Sequence, residues 1–172
     1  QYSFRESVEP IYRDLVGLLV SFDPNQENLS QAREVIESLQ LAELENFFQE
    51  ACIDAEPKQI DQVDSAAAVI YPIILGDRLE VILSLPDRPL KHYTASISKP
   101  KLEKIIAEFR HNIVVRSRRN FYSPAKKLYS LLISPVLQDL TSNQIKTLVF
   151  VPDGALRNIP LGALYDGKKF LI

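Results

Sequence analysis

The side chains best suited to chemistry are one cysteine, Cys52, and two histidines, His92 and His111. A cysteine thiolate attacks a carbonyl when a nearby imidazole generates and positions it. Cys52 follows an apolar helical segment, and the C-terminal end of a helix does not favour a thiolate, so we interpret it as a small buried hydrophobe. The histidines have no cysteine or carboxylate at metal-ligand spacing, and we interpret both as ordinary surface or capping residues. No metal site is predicted.

Glycines and basic residues give little sign of a bound nucleotide or nucleic acid. The five glycines form neither the Gly-x-Gly-x-x-Gly nor the P-loop pattern, so no cofactor is expected. The one basic run, Arg116-Ser117-Arg118-Arg119, follows a predicted helix, where positive charge suits the helix dipole. We interpret this run as a solvated helix end, with docking of an acidic partner as the alternative. A net charge of −2 and a pI near 5.8 argue against nucleic-acid binding.

The most informative polar group follows a short apolar strand, Thr147–Val151, near the C-terminus. Asp153, Gly154 and Arg157 lie just beyond the carboxyl end of that strand, which is where α/β sheets place their sites. This position makes them candidates for a functional site. The structural alternative is an Asp-Gly turn followed by an arginine on a solvated face.

The composition is that of a globular protein, with 46% apolar and 24% charged residues in 172. No apolar run reaches the roughly 18–20 residues that span a bilayer, and the N-terminus shows no secretory signal. A single cysteine cannot form an internal disulfide, so the cytoplasm is the expected compartment. The absence of methionine and the apolar end at Lys168–Ile172 predict that the chain is a piece of a longer protein.

Two helices are predicted at the N-terminus. Apolar residues at intervals of three and four from Val8 to Phe22 form the first, with Pro10 in its first turn. Ser30 is the predicted N-cap of the second helix. The apolar stripe of that helix changes phase near Gln40, which indicates a kink or two short helices. The result is one helical hairpin, with no second copy at a period of about 34 residues.

Three strands follow as an antiparallel meander, over Ala66–Leu75, Leu79–Leu85 and Leu90–Ile97, with turns between them. Pro72 lies within the first of these strands, so we expect it at a sheet edge or a bulge.

Two more helices and a strand complete the prediction. One helix begins near Ser98, and Ser123-Pro124 supplies a cap and a first-turn proline for the next, which Pro135 should bend or end. The final strand, Thr147–Val151, is apolar throughout, as in strands that helices cover on both faces. The expected fold class is α/β, or α+β for the truncated piece. Residues expected to be buried are Phe47, Phe48, Leu102, Ile106, Leu128, Leu132 and Val149.

The C-terminal segment resembles the opening signature of the CHAT family, whose caspase-like domains commonly follow arrays of tetratricopeptide repeats. The matching residues are Val151-Pro152-Asp153-Gly154, Leu156, Ile159-Pro160, Ala163-Leu164, Asp166-Gly167 and Phe170-Leu171, with Ser123-Pro124 and Leu128–Pro135 upstream. Residues 6–47 resemble the helices that join the repeats to the domain. The resemblance implies a helical linker over residues 1–55 and the N-terminal part of a CHAT domain over 56–172, with Thr147–Val151 as the first strand of a caspase-like sheet.

The resemblance also implies an activity for the parent protein. It would be a cysteine endopeptidase regulated through its repeats, with a protein partner or a polypeptide substrate. The family's catalytic residues lie downstream, in patterns like His-x-x-x-His-Gly and Leu-Ser-Ala-Cys, and neither pattern occurs here. No catalytic residue is therefore assigned, and the fragment is expected to be inactive. Asp153 and Arg157 become candidates for the border of the substrate groove.

Two alternatives remain open. The parent could be a non-catalytic interaction or scaffold module whose dyad has decayed. A self-contained α+β domain unrelated to peptidases is disfavoured by the C-terminal signature. Under each of these interpretations Leu148–Val151 is apolar on both faces. The free N–H and C=O groups of an unpaired strand of this kind tend to pair with another strand. We therefore expect it to pair with a neighbouring copy, or with the tail Lys169–Ile172 folded back beside it.

Overall fold

The computed structural model describes residues 7–21, 23–48, 64, 66–115 and 118–171, without the side chains of 45–48, 118 and 119. The helices are α1 (Glu9–Leu19), α2 (Gln26–Phe48), α3 (Lys99–Val114), α4 (Arg118–Leu132) and α5 (Leu137–Ser142). The strands are β1 (Ala67–Ile74), β2 (Leu79–Ser84), β3 (Lys91–Ala95) and β4 (Thr147–Phe150). Two short 3₁₀ helices follow, Gly154–Asn158 and Leu161–Ala163.

The four strands form one mixed sheet in the order β3-β2-β1-β4. The predicted antiparallel meander of β1, β2 and β3 is confirmed. Strand β4 pairs in parallel with β1, with Ala67 opposite Thr147 and Ile70 opposite Phe150. The strand that the sequence presents as the start of a new sheet therefore extends the meander.

Helices cover both faces of this sheet. Alternate residues of β1 point to opposite sides, so Val69, Tyr71 and Ile73 belong to one apolar cluster and Ala68 and Ile70 to another. Helices α1 and α2 complete the first cluster with Val16, Val20, Leu29, Ala32, Ile36 and Leu39. Helices α3 and α4 and the segment after them complete the second with Leu102, Ile106, Phe109, Leu128, Leu132 and Val136. Burial on both faces accounts for the unbroken apolar run of β1 and confirms the α/β class.

Helix α2 begins earlier than predicted. Asn25, not Ser30, caps it, because the Asn25 side-chain oxygen accepts a hydrogen bond from the backbone N–H of Asn28 at 2.8 Å. The helix continues through Gln40 to Phe48, so the expectation of two short helices is wrong. Pro10 lies in the first turn of α1, as predicted.

Helix α4 also differs from the prediction, since Pro124 lies inside it. A proline within a helix leaves the carbonyl four residues earlier without its N–H partner. That carbonyl belongs to Asn120, and the buried Asn112 side chain donates to it at 3.0 Å. The helix ends before Pro135, as expected, and the short helix α5 then follows unpredicted.

Most of the predicted core is confirmed. Leu102, Ile106, Leu128 and Leu132 are buried. Val149 is only partly buried, because β4 lies at the edge of the sheet. The side chains of Phe47 and Phe48 lie outside the described residues.

The C-terminal tail does not fold back beside β4. Phe170 forms a bridge with Tyr165, and the Leu171 N–H donates to the Leu164 carbonyl at 2.9 Å. That part of the pairing prediction is wrong. Within the described residues, no helix has both the length and the hydropathy to cross a membrane.

Candidate functional site

The site begins where strand β1 continues beyond the end of its pairing with β4. The Val151 N–H donates to the Ile70 carbonyl at 3.0 Å, so the even-numbered residues of β1 face β4. Pro72 is the next residue on that side and has no N–H, and pairing with β4 ends at Ile70. Pro72 therefore lies neither on an edge strand nor at a bulge, since it stays in register with Val81 of β2. It marks the end of the parallel ladder.

Beyond Pro72 the backbone of Ile74 is paired by side chains. The Ile74 N–H donates to Asp153 Oδ2 at 2.8 Å, and Arg13 Nη1 donates to the Ile74 carbonyl at 2.9 Å. Arg13 also binds both carboxylate oxygens of Asp153, at 2.7 and 2.9 Å. We call Arg13, Ile74 and Asp153 the strand-edge clamp. Beyond the four residue pairs that join β1 to β4, the clamp takes the place of a further β4 residue as the hydrogen-bond partner of β1.

The clamp holds a charge pair away from water. Asp153 is 1% exposed, and Glu9 accepts a further hydrogen bond from Arg13 Nε at 2.7 Å. Burial by itself lowers the pKa of Arg13, but the hydrogen bonds and charges of Asp153 and Glu9 outweigh it and raise the pKa above its ordinary value. The guanidinium therefore stays charged throughout the working pH range.

Gly154 allows the chain to turn directly after the clamp. Its φ of +48° lies in the left-handed region that favours glycine, and a Cβ there would lie 3.7 Å from Ile74 and 3.9 Å from Arg13. The predicted turn is confirmed, and it begins the 3₁₀ helix that carries Arg157.

Arg157 contacts helix α2. Its Nε donates to the Pro152 carbonyl at 3.1 Å, and its Nη1 lies 2.6 Å from Glu43 Oε2. Both helices of the N-terminal hairpin are thus ion-paired with the segment after β4, α1 through Arg13 and α2 through Glu43. We call residues 152–158 the post-β4 segment.

A charged cleft opens beside these contacts, with a volume of about 460 Å³. Its described lining residues are Glu9, Arg13, Glu43, Ile74, Lys99, Glu103, Gly154, Ala155, Arg157 and Asn158. Within the described residues, this lining contains no cysteine, serine or histidine. Its charged groups can bind a polar chain.

The structure brings the two predicted site residues close together but gives them different settings. Asp153 is internal, whereas Arg157 is partly exposed and lines the cleft. Their role at a groove border stays a prediction. Sequence reasoning missed Arg13 and Glu43, because nothing in the sequence connects Arg13 with a residue 140 positions away.

His92 is more than a surface histidine. Its Nε2 lies 2.9 Å from Glu80 Oε2, and Thr94 and Arg78 also donate to that carboxylate. Glu80 is 1% exposed. Burial raises the pKa of Glu80, but the hydrogen bonds from His92, Thr94 and Arg78 outweigh it and leave the pKa below its ordinary value. His111 is exposed near the end of α3, as predicted.

Other candidates lie outside the described residues. These are Cys52, Arg116 and Ser117, together with the side chains of Arg118 and Arg119. In the part of the chain that is described, His, Cys, Asp and Glu side chains do not gather in threes that could hold a metal ion.

Comparison with known proteins gives one family. A family model described as CHAT domain matches residues 123–172, which include β4, Asp153 and Arg157. The resemblance to the CHAT family is confirmed over these residues, and it is consistent with a CHAT-domain fragment. A search of curated proteins gave no match.

Proposed function

We propose that this chain is the N-terminal portion of a CHAT domain in a caspase-like cysteine endopeptidase that is controlled through attached tetratricopeptide repeats. The family match over residues 123–172 supports the domain, and the resemblance of the sequence supplies the activity. In this proposal the catalytic histidine and cysteine belong to residues outside this sequence. The chain contributes the sheet and the groove border, acts on or with a polypeptide, and works in the cytoplasm.

One observation favours control through the N-terminal helices. The hairpin of α1 and α2 is joined to the post-β4 segment by two ion pairs, Arg13 with Asp153 and Glu43 with Arg157. A displacement of the hairpin must either break these pairs or move the segment. Interiors and tight contacts transmit such shifts as discrete rearrangements. In this proposal the hairpin passes a signal from attached repeats to the groove border, and the two ion pairs support it.

The test compares the 172-residue chain with a full-length protein that contains it. A degenerate fluorogenic peptide library should be cleaved by the full-length protein and not by the chain alone. Cys52→Ala should leave that cleavage unchanged, whereas Arg157→Ala should lower it without a large change in melting temperature. Cleavage by the chain alone that disappears in Cys52→Ala would show that the dyad was wrongly assigned.

The alternative is a non-catalytic scaffold module. The described lining of the cleft, with charged side chains and without cysteine, serine or histidine, is compatible with it. A full-length protein that cleaves no library peptide, yet binds a polypeptide in an Arg157-dependent manner, would establish the scaffold and refute the peptidase.

A further inference from the structure

Three aromatic side chains lie together on the surface where α4 meets the turn closed by the Tyr165–Phe170 bridge, and we call Tyr122, Tyr165 and Phe170 the aromatic cluster. The ring centroids of Tyr122 and Tyr165 are 4.8 Å apart, and those of Tyr165 and Phe170 are 5.3 Å apart. Phe121 packs against Tyr122 and, at 5.2 Å, against the fully buried Phe109. The cluster is thus anchored to the core through neighbouring rings.

The cluster nevertheless remains open to solvent. Tyr122 is 46% exposed and Phe170 is 40% exposed. Large aromatic side chains that are rigid and exposed together are typical of binding surfaces, because they bury much area at a low entropy cost. A contiguous aromatic surface of this kind indicates a partner.

Exposed lysines surround the aromatic cluster. Lys126 lies one turn after Tyr122 on α4, and Lys168 and Lys169 lie in the turn that leads to Phe170. Lys126 reaches over that turn, because a Cβ added to Gly167 would lie 3.3 Å from its Nζ.

The carboxylate of Asp166 belongs to the same turn as Lys168 and Lys169. Asp166 accepts the backbone N–H groups of Lys168 and Lys169 at 2.6 and 2.7 Å, which fixes the turn. These bonds hold the pKa of Asp166 below its ordinary value, so it carries one negative charge against three positive charges. Lys126, Lys168, Lys169 and Asp166 together therefore carry a net positive charge, in a chain whose total charge is −2.

We propose that the aromatic cluster and its lysines bind an acidic peptide segment of a protein partner, one that carries a large apolar side chain between carboxylates. The apolar side chain would pack against the parts of the Tyr122 and Phe170 rings that remain exposed, which is less area than a stacked base needs, and the carboxylates would pair with Lys126, Lys168 and Lys169. This surface shares no residue with the charged cleft, so the proposal does not rest on peptidase activity.

The geometry favours a peptide over single-stranded nucleic acid. Base stacking needs an open ring face. Tyr122 already packs against three rings, at 4.8, 5.7 and 6.2 Å between centroids. Carboxylates instead suit the ammonium groups and the positive ring edges.

The experiment measures fluorescence anisotropy of the labelled peptide EDFEDLE with the protein at low and physiological salt. We expect saturable binding that weakens as salt rises. The peptide EDGEDGE, which keeps the charges and lacks the apolar side chains, should bind at least about tenfold more weakly, and KKFKKLK should not bind. Equal binding of EDFEDLE and EDGEDGE would overturn the role of the aromatic cluster.

Variants assign the binding to this surface. Tyr122→Ser and the pair Lys168→Glu with Lys169→Glu should each weaken EDFEDLE binding about tenfold or more. Lys101→Glu, an exposed lysine at the start of α3, should leave binding unchanged. Circular dichroism would confirm that each variant is folded.

Three results would overturn the proposal. The first is unchanged affinity in the Lys168/Lys169 variant. The second is tighter binding of oligo-dT than of EDFEDLE, which would indicate nucleic acid. The third is a dimer in sedimentation that Tyr122→Ser abolishes, which would make a second copy of the chain the occupant.

Discussion

Asp153 serves the interior of this protein. Both of its carboxylate oxygens bind the Arg13 guanidinium, and one of them also accepts the Ile74 N–H. The position of Asp153 after a strand suggested an exposed site, because that rule considers only the end of its own strand. The partner that buries it comes from a helix at the other end of the sequence. Spacing along the chain could not reveal this pair.

Removal of one partner from this pair should destabilise the protein strongly. Arg13→Leu leaves the Asp153 carboxylate buried without a cation, a loss of about 3–5 kcal/mol in the free energy of unfolding. Urea denaturation would measure this, with the exposed Arg110→Leu as the control. The double variant Arg13→Leu/Asp153→Leu should lose less than the sum of the two single losses. Strictly additive losses would contradict a direct pair.

Glu80 should make stability depend on acid pH. Its pKa in the folded protein lies below the ordinary 4.5, so its contribution is present above that value and is lost as the pH falls through the lower folded pKa. Glu80→Gln should therefore lower the melting temperature at pH 7 more than at pH 3. The exposed Glu108→Gln is the control. An equal loss for Glu80→Gln at both pH values would refute the assignment.

Among the elements, helix α4 is one whose start the local sequence rules predict wrongly. Ser123-Pro124 has the form of a helix start, yet the helix passes through it because Asn112 of α3 satisfies the Asn120 carbonyl. The rule for proline concerns only the local backbone. The compensation comes from a neighbouring helix, which a local pattern cannot show.

Asn112 should accordingly matter because of Pro124. Asn112→Ala leaves the Asn120 carbonyl without that partner, at a cost of about 1–3 kcal/mol. In a Pro124→Ala background the new N–H at position 124 can bond that carbonyl, so Asn112→Ala should cost less. Thermal unfolding of the four proteins would measure the coupling. The same cost in both backgrounds would contradict it.

Strand β4 keeps one open edge within the described residues. Val149 and Val151 face β1, so the N–H and C=O groups of Leu148 and Phe150 point away from it. An edge of this kind invites a further strand.

We therefore expect the chain to associate with itself as its concentration rises. Leu148→Pro removes an outward N–H and keeps the ladder with β1, so it should reduce light scattering across a concentration series. The control Leu137→Ser, at an exposed leucine of α5, should leave light scattering unchanged. A wild-type chain that stays monomeric at high concentration would refute this expectation.

At the scale of the whole molecule, the sequence predicts the meander, most of the core and the α/β class. These follow from periodicity, which reports the burial of each strand and helix. It does not report which elements meet. The pairing of β4 with β1, the clamp at Ile74 and the tie between Glu43 and Arg157 are all contacts between distant segments. The division at residue 55 into linker and domain stays a prediction, although α1 and α2 cover one face of the sheet.

Two ion pairs join the N-terminal hairpin to the post-β4 segment and should hold that segment in place. The most direct test is amide hydrogen exchange in the variant Arg13→Gln/Glu43→Gln, which removes both ion pairs. The amides of Ile74 and Leu156, which bond to Asp153, should accelerate in exchange at least about tenfold more than those of β2, which report global unfolding.

Arg110→Gln/Glu108→Gln, on the exposed side of α3, is the matched control and should change neither set. Local loss of protection at Ile74 and Leu156 is the predicted result. Unchanged exchange at these two amides in the folded Arg13→Gln/Glu43→Gln protein would contradict the coupling between the hairpin and the post-β4 segment.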